Sequence, residues 1–183
     1  MKRNLLIAFL LLFNFVCYAQ TSHMKFMGVE MRRTIDQFHA VLVKKGAKVS
    51  WMNKYAPVGQ RIFEGSFSGE QAQIVVWYNE STKLVYRAKA IVDREGMQTI
   101  LSVLSQYEAK LDLKYGTECK ETDIFEDDHD NALKSVHYAT ENGTIDLFIN
   151  GEEYGDNGNF KLHIDYHDKD SYTQKIADEM DDL

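Results

Sequence analysis

Ile74-Val75-Val76-Trp77-Tyr78 is an unbroken β-branched and aromatic run, the composition of a strand. Glu80-Ser81-Thr82 turns the chain, and residues 84–92 then alternate. Leu84, Tyr86, Ala88 and Ala90 fall on one side and Arg87 and Lys89 on the other, the two-residue period of a strand with one apolar and one polar face. Upstream, residues 48–55 and 61–67 read as two further strands, bounded by Pro57, Gly59 and Gly69. Together the four predict an antiparallel meander.

Helices flank this meander. Thr34 and Gln37 have capping-box spacing, and Ile35, Phe38, Val41 and Leu42 line one helical face before Lys44-Lys45-Gly46 stops the helix. Residues 26–31 form an extended lead-in. Downstream, with Asp93 as cap, a long amphipathic helix is predicted over 95–115, with Met97, Ile100, Leu104, Tyr107 and Leu111 in three- and four-residue steps and Gly116 as stop. Residues 117–130 are polar and acidic. Strands at 134–140 and 144–150 are joined by Glu141-Asn142-Gly143, the strongest short hairpin signal. A glycine-rich loop over 151–159 leads to a last strand at 160–167, and the tail from Ser171 forms a short helix. The expected fold is α+β: two helices, the second long, packed on antiparallel meanders in the order α-β4-α-β3, with a short C-terminal helix.

The N-terminus carries an address. Met1-Lys2-Arg3 is basic, an apolar run follows from Leu5 to Val16, and Cys17-Tyr18-Ala19 ends in a small residue. This is the three-part layout of a secretory signal, and the run is shorter than the roughly 20 residues a membrane-spanning helix needs. Residues 1–19 are therefore read as a cleaved signal and 20–183 as one α+β domain, secreted or periplasmic. Cleavage removes Cys17 and leaves Cys119 alone, so no internal disulfide forms. A chain of this length can bury about 70% of its unfolded surface, enough for one domain without staples. The net charge of −7 over the whole chain deepens with the loss of Lys2 and Arg3. That acidity excludes nucleic acid as a partner, and also anionic membrane once the signal is gone.

Several short stretches carry a resemblance: Lys25-Phe26-Met27-Gly28-Val29, Thr34-Ile35-Asp36-Gln37-Phe38, Lys45-Gly46, and Phe63-Glu64-Gly65-Ser66-Phe67-Ser68-Gly69. With them go Leu113-Lys114-Tyr115-Gly116, Gly143-Thr144-Ile145-Asp146-Leu147 and Ile164-Asp165-Tyr166-His167-Asp168. Across most of residues 25–170 the chain resembles a family of small uncharacterised secreted proteins of Gram-negative gut bacteria. The resemblance implies an exported α+β domain and no reaction. The helix-then-meander halves are also similar to secreted β-lactamase-inhibitor proteins, an analogy of fold only.

Two sets of residues are candidate sites. His163, Asp165 and His167 share one face of the last strand, while Leu162, Ile164 and Tyr166 point to the core. Two imidazoles and a carboxylate suit zinc or another divalent metal, although alternate residues lie about 6.6 Å apart. The competing reading is a solvated outer face. Trp51, Trp77 and Tyr78, on predicted strands, form a candidate interaction surface. The acids Asp123, Glu126, Asp127, Asp128 and Asp130 fail the calcium-loop pattern, with Ala132 and Leu133 where an acid and a glycine are needed. Neighbouring acids would quiet the Cys119 thiol, and neither a nucleophile elbow nor a phosphate-binding glycine loop is present. These features predict an exported, non-catalytic binding module without a cofactor, whose partner is a protein or other extracytoplasmic ligand. The alternative is a metal-binding protein or metal-dependent enzyme built on His163, Asp165 and His167.

Overall fold

The computed structural model describes residues 23–126, 132–150 and 159–181. The signal reading of residues 1–19, with Cys17, lies outside the described residues, as do Asp127, Asp128 and Asp130 of the acidic segment and the loop over 151–158.

The described chain begins with a hairpin, β1 (Lys25–Phe26) and β2 (Val29–Glu30). Next come α1 (Ile35–Lys44), β3 (Lys48–Val49), a 3-10 turn (Trp51–Tyr55), β4 (Gln60–Phe67), β5 (Glu70–Tyr78) and β6 (Val85–Glu95). The long helix α2 (Met97–Tyr115) precedes β7 (Lys120–Glu126), β8 (Ala132–Thr140), β9 (Gly143–Asn150), β10 (Asn159–Asp168) and α3 (Lys169–Asp181).

The expected arrangement of two helices on separate meanders is corrected. Strands β3 to β10 form a single eight-stranded antiparallel sheet, ordered β3-β4-β5-β6-β10-β9-β8-β7, beside the two-stranded β1–β2 sheet. The described residues are mostly β, with three helices. The reason is the last strand. β10 pairs with β9 on one side and with β6 on the other, and the β6 pairing runs from Asn159↔Glu95 to His167↔Arg87. It welds the two meanders through their inner strands. Helix α2 crosses from the middle of the sheet to its far edge and lies over β10, β6 and β9.

Smaller corrections have local causes. Residues 51–55 form a 3-10 turn because Ser50 caps it, its hydroxyl accepting from the Met52 amide. The acidic stretch after Gly116 is an edge strand, β7, paired along β8. The α2 cap is Gly96, and Asp93 stays in β6. A bulge beside Trp77 and Tyr78 shifts β6 by one residue, so Val85 and Ala88 are both buried while Tyr86 and Arg87 lie between them. A bulge of this kind re-aims side chains. The Thr34–Gln37 capping box is present, and Thr140 pairs with Gly143 across the predicted Asn-Gly turn. The tail helix is longer than expected. Asp168 opens it by accepting from the Ser171 amide, and it also accepts from the Met24 amide, tying the two ends of the described chain together.

One face of the sheet is the core. Phe63, Ile74, Val76, Ala88, Ala90, Ile145, Leu147, Leu162 and Ile164 are fully buried there with the inner faces of α1 and α2. On the other face α3 covers only the His167 end, where Tyr172 meets the His167 and Tyr86 rings. No helix among the described residues is long and apolar enough to cross a membrane.

Candidate functional site

The second face carries the residues read as a metal site, and it is not a solvated surface. Asp165 is 2% exposed and His163 8%. Asp165 sits in a row formed by register, Val75↔Lys89↔Asp165↔Asp146↔His137. Its carboxylate accepts two hydrogen bonds from Arg87 Nε, at 3.0 and 3.2 Å, and one from Nη2 at 2.6 Å. Lys89 Nζ lies 3.2 Å away and His167 Nε2 3.5 Å. Burial by itself would raise the Asp165 carboxyl. Hydrogen bonds from His167 and Arg87, with the charges of Arg87 and Lys89, outweigh it and hold the group well below the usual carboxylate range. The Asp165 oxygens are thus engaged by cations. His163 stacks on Phe148 at 4.8 Å, one row along. Among the described residues no group of three or more His, Cys, Asp or Glu side chains is placed to hold a metal ion. His137 Nδ1 and Asp146 Oδ1 form a second pair at 2.6 Å.

The three aromatics do not form one patch. Trp51 stands 68% exposed on the 3-10 turn beside Tyr55, with Lys54 over both rings. Trp77 and Tyr78 are half-buried and line a polar groove near α3 with Asn79 and Asp178. The Arg87 guanidinium covers the Trp77 ring at 4.3 Å. Cys119 is half-buried, its thiol directed at the Tyr115 and Gly116 carbonyls.

A different feature, unmarked by any motif, has the form of a ligand site. It is a cleft of about 510 Å³ above the core-side end of β10. Two tight turns and the second half of α2 build it. In α2, Tyr107 and Leu111 stand one turn apart on the buried stripe, with Lys110 and Lys114 on the neighbouring one. The turns are Met27-Gly28 between β1 and β2 and Ser68-Gly69 between β4 and β5, all four residues at positive φ. Two-residue hairpin turns with this backbone favour asparagine and glycine. Methionine at φ 52° costs on the order of 1–2 kcal/mol, because its Cβ crowds the carbonyl. That strain stands at the mouth of the cleft, which Met27 lines.

The cleft floor is aromatic. Phe67 stacks on Phe26 at 5.1 Å and on Tyr107 at 5.7 Å, and Tyr166 meets Phe26 edge-on. The Tyr107 hydroxyl donates to the Phe67 carbonyl at 2.7 Å. Burial pushes its phenol up to about 12, with the Arg94 charge acting the other way. The polar atom of this ring is therefore satisfied inside the protein, and its apolar surface is what meets the cleft. Neither a family model, a curated protein nor a solved structure matches this chain.

Proposed function

We propose that the protein is a non-catalytic binding module, exported to the periplasm or the cell exterior, that holds a small apolar-bodied ligand in this cleft. The observation that supports the reading is the cleft itself: about 510 Å³, floored by Phe67, Tyr107, Leu111 and Tyr166. Volumes of several hundred Å³ with mostly apolar linings are those of small-molecule sites. The buried charges on the opposite face supply no rival, since the Asp165 carboxylate is already neutralised by Arg87 and Lys89 and supports structure there.

The test is titration with N-phenyl-1-naphthylamine, a neutral dye that brightens in apolar surroundings. Saturable single-site brightening is expected. Met27→Asp puts a carboxylate among the lining residues while asparagine-like side chains suit its left-handed backbone, so the variant should fold and lose the signal. Absence of saturable brightening, or full brightening in the variant, would refute the reading.

A further inference from the structure

We infer that the ligand of this cleft is an anionic amphiphile, a single acidic head group on an apolar body. The inference rests on the cleft being a binding site, and it concerns what the rim adds to the floor. Four lysines reach the rim from three segments: Lys25 on β1, Lys45 at the end of α1, and Lys110 and Lys114 on α2. Among the described residues no aspartate or glutamate lines the cleft, although acids outnumber lysines and arginines by 28 to 21 in the chain.

The contrast is with the cations that are neutralised within the fold. Arg87, Lys89, Arg94, Lys120 and Lys134 each sit against a carboxylate. None of the four rim lysines forms an ion pair among the described residues. Two of them are nonetheless positioned. Lys110 Nζ donates to the Ser68 hydroxyl at 3.1 Å and carbonyl at 3.4 Å, and lies 5.1 Å from the Tyr107 ring centre. Lys114 Nζ lies 4.6 Å over the Tyr115 ring. Such side chains lay their methylenes along apolar surface and keep the ammonium at the edge.

The result is a concave apolar floor with an unneutralised cationic rim, on a molecule whose overall field is negative. A concave surface of one charge sign concentrates the counter-charge. A carboxylate, sulfate or phosphate head would take charge-assisted hydrogen bonds from the ammonium groups, while its apolar body covers the aromatic floor. A neutral ligand would leave the lysines uncompensated. A cationic one would be drawn to the acidic surface elsewhere and repelled here.

Calorimetric titration of the purified protein at pH 8 separates these cases, using twelve-carbon probes below their micelle concentrations: dodecanoate, dodecyl maltoside and dodecyltrimethylammonium. Dodecanoate is expected to bind at one site, about tenfold or more tighter than the neutral probe. Shortening its chain should weaken binding by up to about fourfold per methylene. The double variant Lys110→Met with Lys114→Met, its fold checked by circular dichroism, keeps the methylenes and removes both charges; it should lose about tenfold for dodecanoate and bind the maltoside no more weakly than wild type. Equal affinity for anionic and neutral probes, or preference for the cation, overturns this inference and leaves the cleft standing as an apolar site. No binding of any probe overturns both. Binding to phosphatidylglycerol vesicles without binding of monomeric dodecanoate also overturns it, because a membrane surface would then be the anion recognised.

Discussion

Removing Arg87 should reveal how much the buried charge cluster contributes to the sheet. Arg87→Ala deletes all three hydrogen bonds of 2.6, 3.0 and 3.2 Å into Asp165. The carboxylate left behind has 3% of its side chain exposed. Breaking a buried pair from one side costs about 3–5 kcal/mol. Lys89 remains at 3.2 Å and Arg87 itself is 29% exposed, so the low end applies, about 3 kcal/mol. Asp165→Asn keeps the shape and removes the charge. Arg87 can then turn partly to solvent and to Trp77, and the loss should be about 1.5 kcal/mol. In the double variant the buried carboxylate is gone, and the Lys89 ammonium keeps the Trp77 and Phe148 rings as its neighbours. The double variant's loss should fall well short of the sum of the singles, giving a coupling energy of about 2 kcal/mol. Urea denaturation of the four proteins at pH 7 and 0.15 M salt measures this. Coupling below about 0.5 kcal/mol, the level of independent sites, would refute the reasoning.

The same pair sets a pH dependence. The folded Asp165 carboxyl lies below its unfolded value of about 3.9. Its contribution is therefore complete above roughly pH 4 and is lost as pH falls through the folded value. The gap between wild type and Arg87→Ala should be flat from pH 5 to 7 and narrow only in acid. A gap that closes near pH 6 would assign the effect to a histidine instead.

Other consequences follow from single contacts. Gly143 has φ 147°, and an added Cβ would collide with the His167 carbonyl oxygen; Gly143→Ala should therefore cost more than about 3 kcal/mol, measured by thermal unfolding. Met27→Asn relieves the left-handed turn position at φ 52° and should stabilise by about 1 kcal/mol, seen as a higher Tm. Spectrophotometric titration at 295 nm should find one tyrosine near 12, missing in Tyr107→Phe. Its raised value means that stability linked to the neutral phenol holds below pH 10 and disappears as pH rises through about 12. A Tyr107→Phe spectrum identical to wild type would contradict the assignment.

The parts of this fold that could be read from the sequence are those written within a few residues. Thr34 and Gln37 are three apart, Asn142-Gly143 is adjacent, and the sidedness of Leu162, Ile164 and Tyr166 against His163, Asp165 and His167 follows from strand period alone. The β6–β10 pairing is different. Alternation in residues 84–92 shows that a strand exists but not which strand lies beside it, so two meanders and one sheet have the same local pattern. The error about the outer face has the same origin. A strand bearing His, Asp and His looks solvated until Arg87, 78 residues away, is brought over the carboxylate.

The cleft was invisible for a related reason. Its four lysines come from three segments far apart in the chain, and each alone is an ordinary surface residue. One local signal existed: Met27-Gly28 and Ser68-Gly69 both sit between extended runs, and a methionine where asparagine suits the backbone is a departure that calls for a cause. Trp51 and Trp77, chosen for aromatic character, are far apart in environment because one lies on a 3-10 turn and the other on a strand beneath Arg87.

The most direct measurement is the location of a bound amphiphile. In amide-resolved NMR of the purified protein titrated with dodecanoate, the largest saturable shifts should fall on Met27, Gly28, Ser68, Gly69 and Leu111, with Arg87 and Asp165 unmoved. Shifts centred on the Arg87–Asp165 face, or no saturable shifts, would contradict a ligand site in the lysine-rimmed cleft.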